Sequence, residues 1–324
     1  MIRILLAPLA AAGLALSLPT AAEAQAPAAA PAAADLQTRF DPPLDKPLRY
    51  KLTQEKTRGD KTESSVLEQQ ITYTRTSAGM VMELKPLRAT AGAISFDLTD
   101  PQAQVPPMLK PLLAPVSFDL DSDGGIVRVR DWELYKQNLN ASIPAIAAGI
   151  EPDQAKRPQA EKFLHDFFAK YTEASAEQAP QLVLKGWPDV LGLMGVSAPE
   201  GAVIETTSVA SVPLFPQPLN YKVKLKMTRP AGAGTLRIEV NSVPDPAAVK
   251  AAVAGLVETM LQSTPAAGTT GRADLERELG GLDLTMTMLV DLDATSGLVR
   301  RAVLEKHVSM AATTGVERIT IEAQ

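Results

Sequence analysis

The 324-residue chain contains no cysteine, only two histidines and few aromatic residues, which make up 4% of the sequence. Without cysteine there are no disulfides, no thiolate metal sites and no attachment point for the lipid of a bacterial lipoprotein. The low aromatic content argues against base-stacking platforms, and the formal net charge of −5 gives no basic field for phosphate backbones. The composition therefore predicts that nucleic acid is not a partner.

Familiar catalytic motifs are also absent. The sequence has no Gly-x-Ser-x-Gly elbow, Ser-x-x-Lys pair, His-Glu-x-x-His helix or phosphate-binding glycine loop. The two histidines, His165 and His307, lie far apart in the chain, and each is interpreted as a solvated side chain, with a role as base or ligand as the alternative. The sequence therefore predicts no catalytic residue and no cofactor, and it favours a protein that is not an enzyme.

One acidic stretch begins like a calcium-binding loop. Asp119, Asp121 and Asp123 are followed by Gly124, but the twelfth position holds Arg130 where a bidentate glutamate is needed. The flanking segments have the pattern of strands, and Asp and Gly are also what a tight turn requires. The stretch therefore predicts a β-hairpin and no metal site.

The first 24 residues have the pattern of a secretory signal peptide. Arg3 supplies the charge, residues 4–18 form the apolar run, and residues 22–24 form a small-x-small cleavage site. The run is shorter than the roughly 20 residues of a membrane-spanning helix. We therefore predict export to the periplasm of a Gram-negative bacterium, with no membrane span after cleavage. The Ala/Pro-rich stretch 25–47 is interpreted as a linker.

Alternation of apolar and polar residues dominates the rest of the chain, as in strands with one buried face. The most regular run is 219–227, whose polar positions include Lys222, Lys224 and Lys226. These lysines are interpreted as a solvated face, with attraction to anionic lipid headgroups as the alternative. The segment 282–322 predicts a three-stranded antiparallel meander.

Helical spacing predicts a block of helices within 131–198 and a further helix over 245–262. We divide the chain into a first β unit, 48–213, which contains this helical insert, and a second β unit, 219–324. Two short sequence echoes lie at offsets of 172 and 171 residues, between 119–129 and 291–301 and between 48–52 and 219–223. They indicate duplication of a β unit. The alternative is that hairpins reuse the same turn chemistry.

The same segments carry a resemblance to known proteins. The features are a first strand that bears Tyr50, a hairpin turn rich in Asp and Gly at 119–125, and a closing pair of strands joined through Asp293 and Gly297. They resemble an uncharacterised family of exported bacterial proteins with twisted antiparallel sheets. At the level of fold they are similar to periplasmic lipoprotein carriers, whose half-barrel covers a helix and holds acyl chains. The resemblance implies an α+β fold of curved antiparallel sheets with a helical insertion.

These observations lead to a functional hypothesis, a non-enzymatic binder of an apolar ligand or lipid. Methionines suit an adaptable apolar pocket, and an aromatic stripe on a helix suits a lid, although both also suit a plain core. The predicted ligand-binding residues are Phe163, Phe167, Phe168, Tyr171, Met286 and Met288. The alternative is a structural or protein-interaction module of the cell envelope. A hydrolase-like enzyme, the third hypothesis, would need a cleft where His165 or His307 meets two carboxylates.

Overall fold

The structure is a computed structural model that describes residues 35–77, 79–100, 102–106, 109–211, 218–230, 234–263, 282–310 and 313–324, together with the backbone of 15–17. Helical spacing over 272–279, followed by Gly280 and Gly281, also predicts a short helix, and this stretch lies outside the described residues. The strands are β1 (Ala15–Ser17), β2 (Asp35–Gln37), β3 (Leu48–Arg58), β4 (Lys61–Thr76), β5 (Gly79–Ala91), β6 (Ile94–Asp97), β7 (Val116–Leu120), β8 (Ile126–Val129), β9 (Ser197–Pro199), β10 (Val203–Ser211), β11 (Leu219–Thr228), β12 (Thr235–Pro244), β13 (Asp283–Asp293), β14 (Val299–Met310) and β15 (Thr313–Ala323). The helices are α1 (Trp132–Ile150), α2 (Arg157–Thr172), α3 (Ala179–Val183), α4 (Trp187–Leu191) and α5 (Pro246–Ser263).

One antiparallel sheet contains most of these strands. Their order is β1-β10-β11-β12-β13-β14-β15-β3-β4-β5-β7-β8, and β6 also pairs with β5. The two β units of the sequence meet where β15 pairs with β3, from Gly315 opposite Arg58 to Ala323 opposite Tyr50. The predicted α+β class with antiparallel sheet is confirmed, and both units belong to one sheet that is not closed on itself.

The two faces of this sheet differ as the alternation predicts. On β11 the side chains of Leu219, Tyr221, Val223, Leu225 and Met227 are all buried, whereas the residues between them are exposed or half-buried. The same alternation holds along β13. We call the face that carries these buried residues the inner face and the opposite one the outer face. Apolar burial on the inner face contributes about 25 cal/mol per Å² to stability, so it fixes which side of each strand turns inward.

The helices α1 to α4, which we call the helical block, pack on the inner face. Trp187 of α4 packs edge-on against Tyr50 of β3, with ring centroids 4.9 Å apart. The backbone also comes close to the sheet, because a Cβ on Gly186 would lie 3.2 Å from Cγ2 of Ile319. Helix α5 lies against β11, and the backbone N–H groups of Ala247 and Ala248 donate to the capping carboxylate of Asp245. The helix predicted over 245–262 is therefore present as α5, and the Asp245 carboxylate caps its N-terminus.

The stretch interpreted as a linker is packed from residue 35 onward. Strand β2 pairs with β9, and Leu36 at its centre is fully buried. The Thr38 hydroxyl donates to the backbone oxygen of Leu193 at 2.8 Å, and the N–H of Asp45 donates to the oxygen of Tyr73 at 2.8 Å. We call residues 35–45 the N-terminal strap. Its three-residue strand is too short to show an alternating pattern in the sequence, and so the linker interpretation of 25–47 does not hold for this part.

The strap crosses the turns of two hairpins, β7–β8 and β13–β14, whose sequences form the echo between 119–129 and 291–301. A Cβ on Gly124 would lie 2.3 Å from Cγ of Phe40, and a Cβ on Gly297 would lie 1.6 Å from the backbone oxygen of Arg39. In the sheet these two hairpins are separated by β15, β3, β4 and β5. A flat sheet would hold them about 24 Å apart, because neighbouring strands are about 4.8 Å apart. Consecutive strap residues reach both turns, and the sheet is therefore strongly curved.

Candidate functional site

On β14, β15, β3 and β4 the inner face changes from apolar to charged along the direction of the strands, whereas its residues on β11, β12 and β13 stay uncharged. Three neighbouring rows of paired residues cross the sheet from β11 to β4 and show this change. The first, which we call the apolar row, consists of Met227, Ile238, Val290, Ala302, Ile321, Leu52 and Leu67. The middle row consists of Leu225, Val240, Met288, Leu304, Ile319, Gln54 and Ser65. The charged row consists of Val223, Ser242, Met286, Lys306, Glu317, Lys56 and Glu63.

The helical block adds charge to the charged row. Lys170, near the end of α2, and Lys185, two residues before α4, interact electrostatically with Lys56 of β3. Lys185 also interacts with Lys306 of β14. We call these four residues the lysine cluster. Two strands and two segments of the helical block contribute to it, so its position depends on the packing of the block against the sheet.

Carboxylates lie next to the ammonium groups of the lysine cluster. The Lys56 ammonium is 3.8 Å from Oε1 of Glu317, which also accepts a hydrogen bond from the Gln54 amide. The Lys306 ammonium is 4.0 Å from Oδ2 of Asp189 on α4, and both of these side chains are buried. A third carboxylate, that of Glu63 on β4, lies opposite Lys56 in the charged row and attracts its ammonium group.

The pKa values of the cluster reflect burial and like-charge crowding. Burial, followed by repulsion from Lys56, lowers the pKa of Lys185 from its ordinary 10.5 to about 8, although Glu317 opposes the shift. Burial and the proximity of Lys56 also lower the pKa of Lys170. For Lys56 itself burial lowers the pKa, and the attraction of Glu317 opposes this effect. Desolvation therefore disfavours the charged form of these groups more than their neighbours favour it.

One buried hydroxyl group lies in the charged row and a second lies beside it. Tyr221 OH and Ser242 Oγ have no hydrogen-bond partner within the part of the chain that the structure describes. They lie on adjacent strands one diagonal step apart, and burial raises the pKa of Tyr221 to about 12. A buried hydroxyl without a partner costs about 1–3 kcal/mol. Such groups are therefore expected to hydrogen-bond with a ligand or water.

The structure distributes the six predicted ligand-binding residues unequally. Phe168, Tyr171 and Met288 belong to the main packed core, whereas Met286 is buried but stands outside it, between Ser242 and Lys306 in the charged row. The Lys170 ammonium lies 5.1 Å from the ring centroid of Tyr171. Tyr171 and Met286 are thus the two predicted residues that adjoin the lysine cluster.

The aromatic stripe of α2 leads from solvent to the core. Phe163 is 49% exposed, Phe167 is half-buried, and Phe168 is fully buried. Ring centroids along the stripe are 6.3 Å apart for Phe163 and Phe167, 5.0 Å for Phe167 and Phe168, and 6.4 Å for Phe168 and Tyr171. The stripe therefore forms a continuous aromatic ladder between the protein surface and the neighbourhood of Lys170.

Sequence reasoning missed the lysine cluster, although the strands carry a signal for it. Lys56 follows Leu52 and Gln54 in the same alternating phase, Lys306 follows Leu304, and Glu317 precedes Ile319. In each strand a charge therefore occupies a position that the alternation assigns to the inner face. Three charged residues at inward positions of neighbouring strands indicate a polar site on a buried surface.

The residues considered for catalysis or metal binding do not form a cluster in the structure. His165 is exposed on α2, and His307 Nε2 lies 3.5 Å from one carboxylate, that of Glu305 on the outer face. Asp121 accepts hydrogen bonds from the backbone N–H groups of Asp123 and Gly125, as expected of a hairpin turn. No group of three or more His, Asp or Glu side chains that could hold a metal occurs among the described residues.

The outer face carries a separate groove of about 810 Å³. Leu289 and Val303 contribute apolar atoms to it, and Lys224 and Arg318 line it as well. These charges are paired, because Lys224 lies 2.9 Å from Oε1 of Glu205 and the Arg318 guanidinium donates to Glu305 at 2.6 Å. The lysine stripe predicted on β11 therefore lies on the opposite side of the sheet from the lysine cluster.

Comparison with known proteins gives weak fold-level similarity. No family model matches the chain, and no curated protein gives a significant match. Among solved structures the chain is similar to a lipovitellin structure that describes lipid–protein interactions. The identity is 11% and the TM-score 0.43, over 87% of this chain and 25% of that one. A porin-like protein from Bacteroides uniformis matches at 8% identity and a TM-score of 0.20, over 89% of this chain and 100% of that one. Both TM-scores are below 0.5, so neither match assigns a function.

The chain thus spans about a quarter of the lipovitellin structure that it matches. In the described part of this protein, no helix has the length and apolar character needed to cross a membrane.

Proposed function

We propose that this protein is a non-enzymatic binder of an apolar ligand with an acyl chain, held between the inner face of the sheet and the helical block. The supporting observation is the gradient on that face, from the apolar row through the middle row to the charged row. An amphiphile has the same order of properties along its length. The gradient lies on a surface that the helical block and α5 cover, which would keep an acyl chain away from water.

The energetics of the inner face favour such a ligand. Each CH₂ group that moves from water to an apolar surface contributes about 0.8 kcal/mol. The polar end of the ligand would meet the buried hydroxyls of Tyr221 and Ser242, which have no partner within the described residues. An ester or amide oxygen that accepts from them would offset a cost of about 1–3 kcal/mol for each.

Each predicted ligand-binding residue has a place in this proposal. Met286 would contact the ligand, because it is buried outside the main packed core and lies in the charged row beside Lys306. Phe163 and Phe167 would mark the route by which a chain reaches the interior, and Phe168, Tyr171 and Met288 would form the wall behind it. A thioether adapts to different chain shapes because it is flexible and polarisable.

The direct test is native mass spectrometry of the protein purified without detergent, followed by extraction with organic solvent. We expect a stoichiometric adduct that is lost on extraction and restored by incubation with hexadecan-1-ol. A bare mass before extraction, with no uptake of hexadecan-1-ol afterwards, would contradict the proposal.

Substitution of Met286 tests the placement of the ligand. We expect Met286→Gln to weaken binding of hexadecan-1-ol about tenfold, because a buried thioether contact of about 1.4 kcal/mol is replaced by a polar amide that must be desolvated. The measurement is isothermal titration calorimetry on extracted protein.

Leu289→Gln is the matched control, since Leu289 lies on the same strand with its side chain on the outer face. It should leave the affinity unchanged. Equal weakening by both variants would show that the effect is not local to the inner face.

We also propose that residues 1–24 are an export signal and that the mature chain acts in the periplasm of a Gram-negative bacterium. Part of this segment, Ala15–Ser17, pairs with Val209–Ser211 at the edge of the sheet. Its removal would leave β10 as an edge strand. The mass of the chain recovered from a bacterial periplasm tests this proposal, since cleavage after Ala24 predicts a product that begins at Gln25.

A structural or protein-interaction module of the cell envelope is the second candidate. The groove on the outer face supports it, because Leu289 and Val303 give it an apolar floor between paired charges. Such a module would take up no hexadecan-1-ol. Its association with envelope proteins would depend on Leu289 and not on Met286, so the two variants above separate the candidates.

A further inference from the structure

We infer that β10 pairs with β10 of a second copy of this chain, so that the sheet continues across a two-fold axis into a dimer. The inference goes beyond the proposed function, because the pairing involves no ligand and no residue of the three inner-face rows. It concerns one edge of the sheet, where Val203–Ser211 forms the last long strand.

The edge formed by β10 lacks the features that normally keep sheet edges apart. Natural edge strands are short, carry lysine or proline, contain a bulge, or are covered by another segment. β10 has nine residues, none of them lysine or proline, and its register with β11 is regular from Val203 to Ala210. Within the described part of the chain, only β1 pairs with its other side, at Val209–Ser211.

The opposite edge of the sheet is protected. Its strand, β8, has four residues, and the N–H of Val129 at its end donates to the backbone oxygen of Ala176 at 2.9 Å. Ala176 lies in the loop between α2 and α3, so the helical layer covers this edge. The contrast between a short, covered edge and a long, regular one identifies β10 as the edge that can receive a partner strand.

The side chains of β10 are complementary to a second copy of themselves in one register. When Thr206 lies opposite its own copy, Val203 lies opposite Val209 of the second copy, and Glu205 lies opposite Thr207. The two valines are 56% and 51% exposed on the outer face. The two-fold axis repeats their contact, so the pairing covers all four valines, and pairs of β-branched residues across strands stabilise a sheet.

The neighbouring registers are less favourable. A shift that sets Glu205 opposite its own copy places two carboxylates opposite each other, which is destabilising. A shift the other way sets Glu205 opposite Val209, so that neither valine meets another. In the favoured register the Glu205 carboxylate keeps its ion pair with Lys224, at 2.9 Å from the ammonium. Charge and apolar surface therefore select the same register.

Strand β1 shows that this side of β10 accepts an antiparallel strand. Ala15–Ser17 pairs with Val209–Ser211 and also lies near α4, so an extended chain fits between this edge and the helical block. The paired segment of the dimer, 203–209, meets the contact of β1 at Val209. Pairing over seven residues is more extensive than pairing over three, so the inference makes the same prediction with or without residues 1–24.

Size-exclusion chromatography with light scattering tests the dimer on the protein recovered from a bacterial periplasm. We expect twice the mass of one chain at micromolar concentrations. Val209→Lys should weaken dimerisation about tenfold, because symmetry makes one substitution remove both valine contacts and add charge to the edge. Val243→Lys is the matched control, since Val243 is 41% exposed on the outer face of β12, an interior strand. It should leave the dimer unchanged.

The absence of cysteine from the chain allows a second test, which reads the register directly. In the proposed pairing the two copies of residue 206 lie opposite each other, with about 4.5–5.5 Å between Cα atoms, which a disulfide can bridge. Thr206→Cys should therefore form a covalent dimer under mild oxidation. Glu205→Cys is the control, because its two copies would lie about 8–9 Å apart, beyond the reach of a disulfide.

The outcomes decide between the dimer, its interface and its register. A monomeric mass at every concentration, without a cross-link through residue 206, would overturn the inference. A dimer that forms equally well with Val209→Lys would place the interface elsewhere and overturn the pairing of β10. Equal cross-linking of the two cysteine variants would overturn the register. Every substituted side chain is exposed or half-buried, and circular dichroism shows that each variant retains its fold.

Discussion

Replacement of Gly297 by alanine is expected to destabilise the protein by about 4 kcal/mol. Gly297 has a φ of +71°, and a Cβ at this position would lie 1.6 Å from the backbone oxygen of Arg39. The obstructing atom belongs to the backbone, so no side-chain rotation can relieve the clash. The N-terminal strap would have to leave the turn, with loss of the hydrogen bond from the Asp41 N–H to the Ser296 oxygen. Urea unfolding followed by circular dichroism measures the change.

Gly201→Ala provides the matched control for this prediction. Gly201 has a similar φ of +75°, but no atom of the described residues would lie within 4 Å of a Cβ added there, so only the left-handed conformation is strained. We expect a loss of about 1 kcal/mol. If the two variants lose the same stability, the close contact between the strap and the turn at Gly297 is wrong.

The strap also links stability to the proposed site. It ties the turns of two distant hairpins together and pairs with β9 just after the helical block. Release of the strap should therefore loosen the curved sheet around the helices. We expect Gly297→Ala to make the region around residue 40 more sensitive to proteolysis than the rest of the chain, since local unfolding exposes the backbone to cleavage.

Replacement of Lys185 by methionine is expected to stabilise the ligand-free protein by about 2 kcal/mol at pH 7. The fall in the pKa of Lys185 from 10.5 to about 8 means that folding disfavours its charged form. A shift of this size corresponds to about 3 kcal/mol, from which the loss of the contacts of the ammonium group subtracts about 1 kcal/mol. Methionine keeps the length of the side chain and carries no charge.

The sign of this effect predicts a pH dependence. Among the described residues, Lys56, Glu317, Lys170 and Lys306 interact electrostatically with Lys185. Between pH 8 and 10.5 the Lys185 side chain is protonated in the unfolded chain and neutral in the folded chain. The free energy of unfolding of the wild-type protein therefore increases as the pH rises through this range. The advantage of Lys185→Met should therefore be full below pH 8 and should vanish near pH 10.5. Thermal unfolding at pH 7, 9 and 10.5 measures it.

Lys222→Met on the outer face is the control, and it should change stability by less than about 0.5 kcal/mol at every pH. A loss of stability for Lys185→Met at pH 7 would contradict the prediction, because it would mean that the charge of Lys185 favours folding.

The alternation of the sequence by itself determined the sheet and its two faces. Runs such as Leu219–Thr228 and Asp283–Asp293 were predicted correctly because successive side chains of a strand point to opposite faces, a property of the backbone that needs no partner. The helix that follows Asp245 was predictable for the same reason, since its cap and its apolar face lie within 18 residues. Turns rich in Asp and Gly located the hairpins at 119–125 and 293–297.

Only the tertiary structure decided what those elements enclose. Residues 56–63 are all polar, charged or glycine, which is typical of a turn. However, β3 continues to Arg58 and β4 begins at Lys61, because pairing with β15 extends the hairpin. Lys56 therefore faces inward and meets Glu317, which lies 261 residues later in the chain. The N-terminal strap could not be predicted for the same reason, since distant residues such as Leu193 hold it in place. Strand order and the docking of helices depend on contacts between distant segments, and a local pattern of residue types does not contain them.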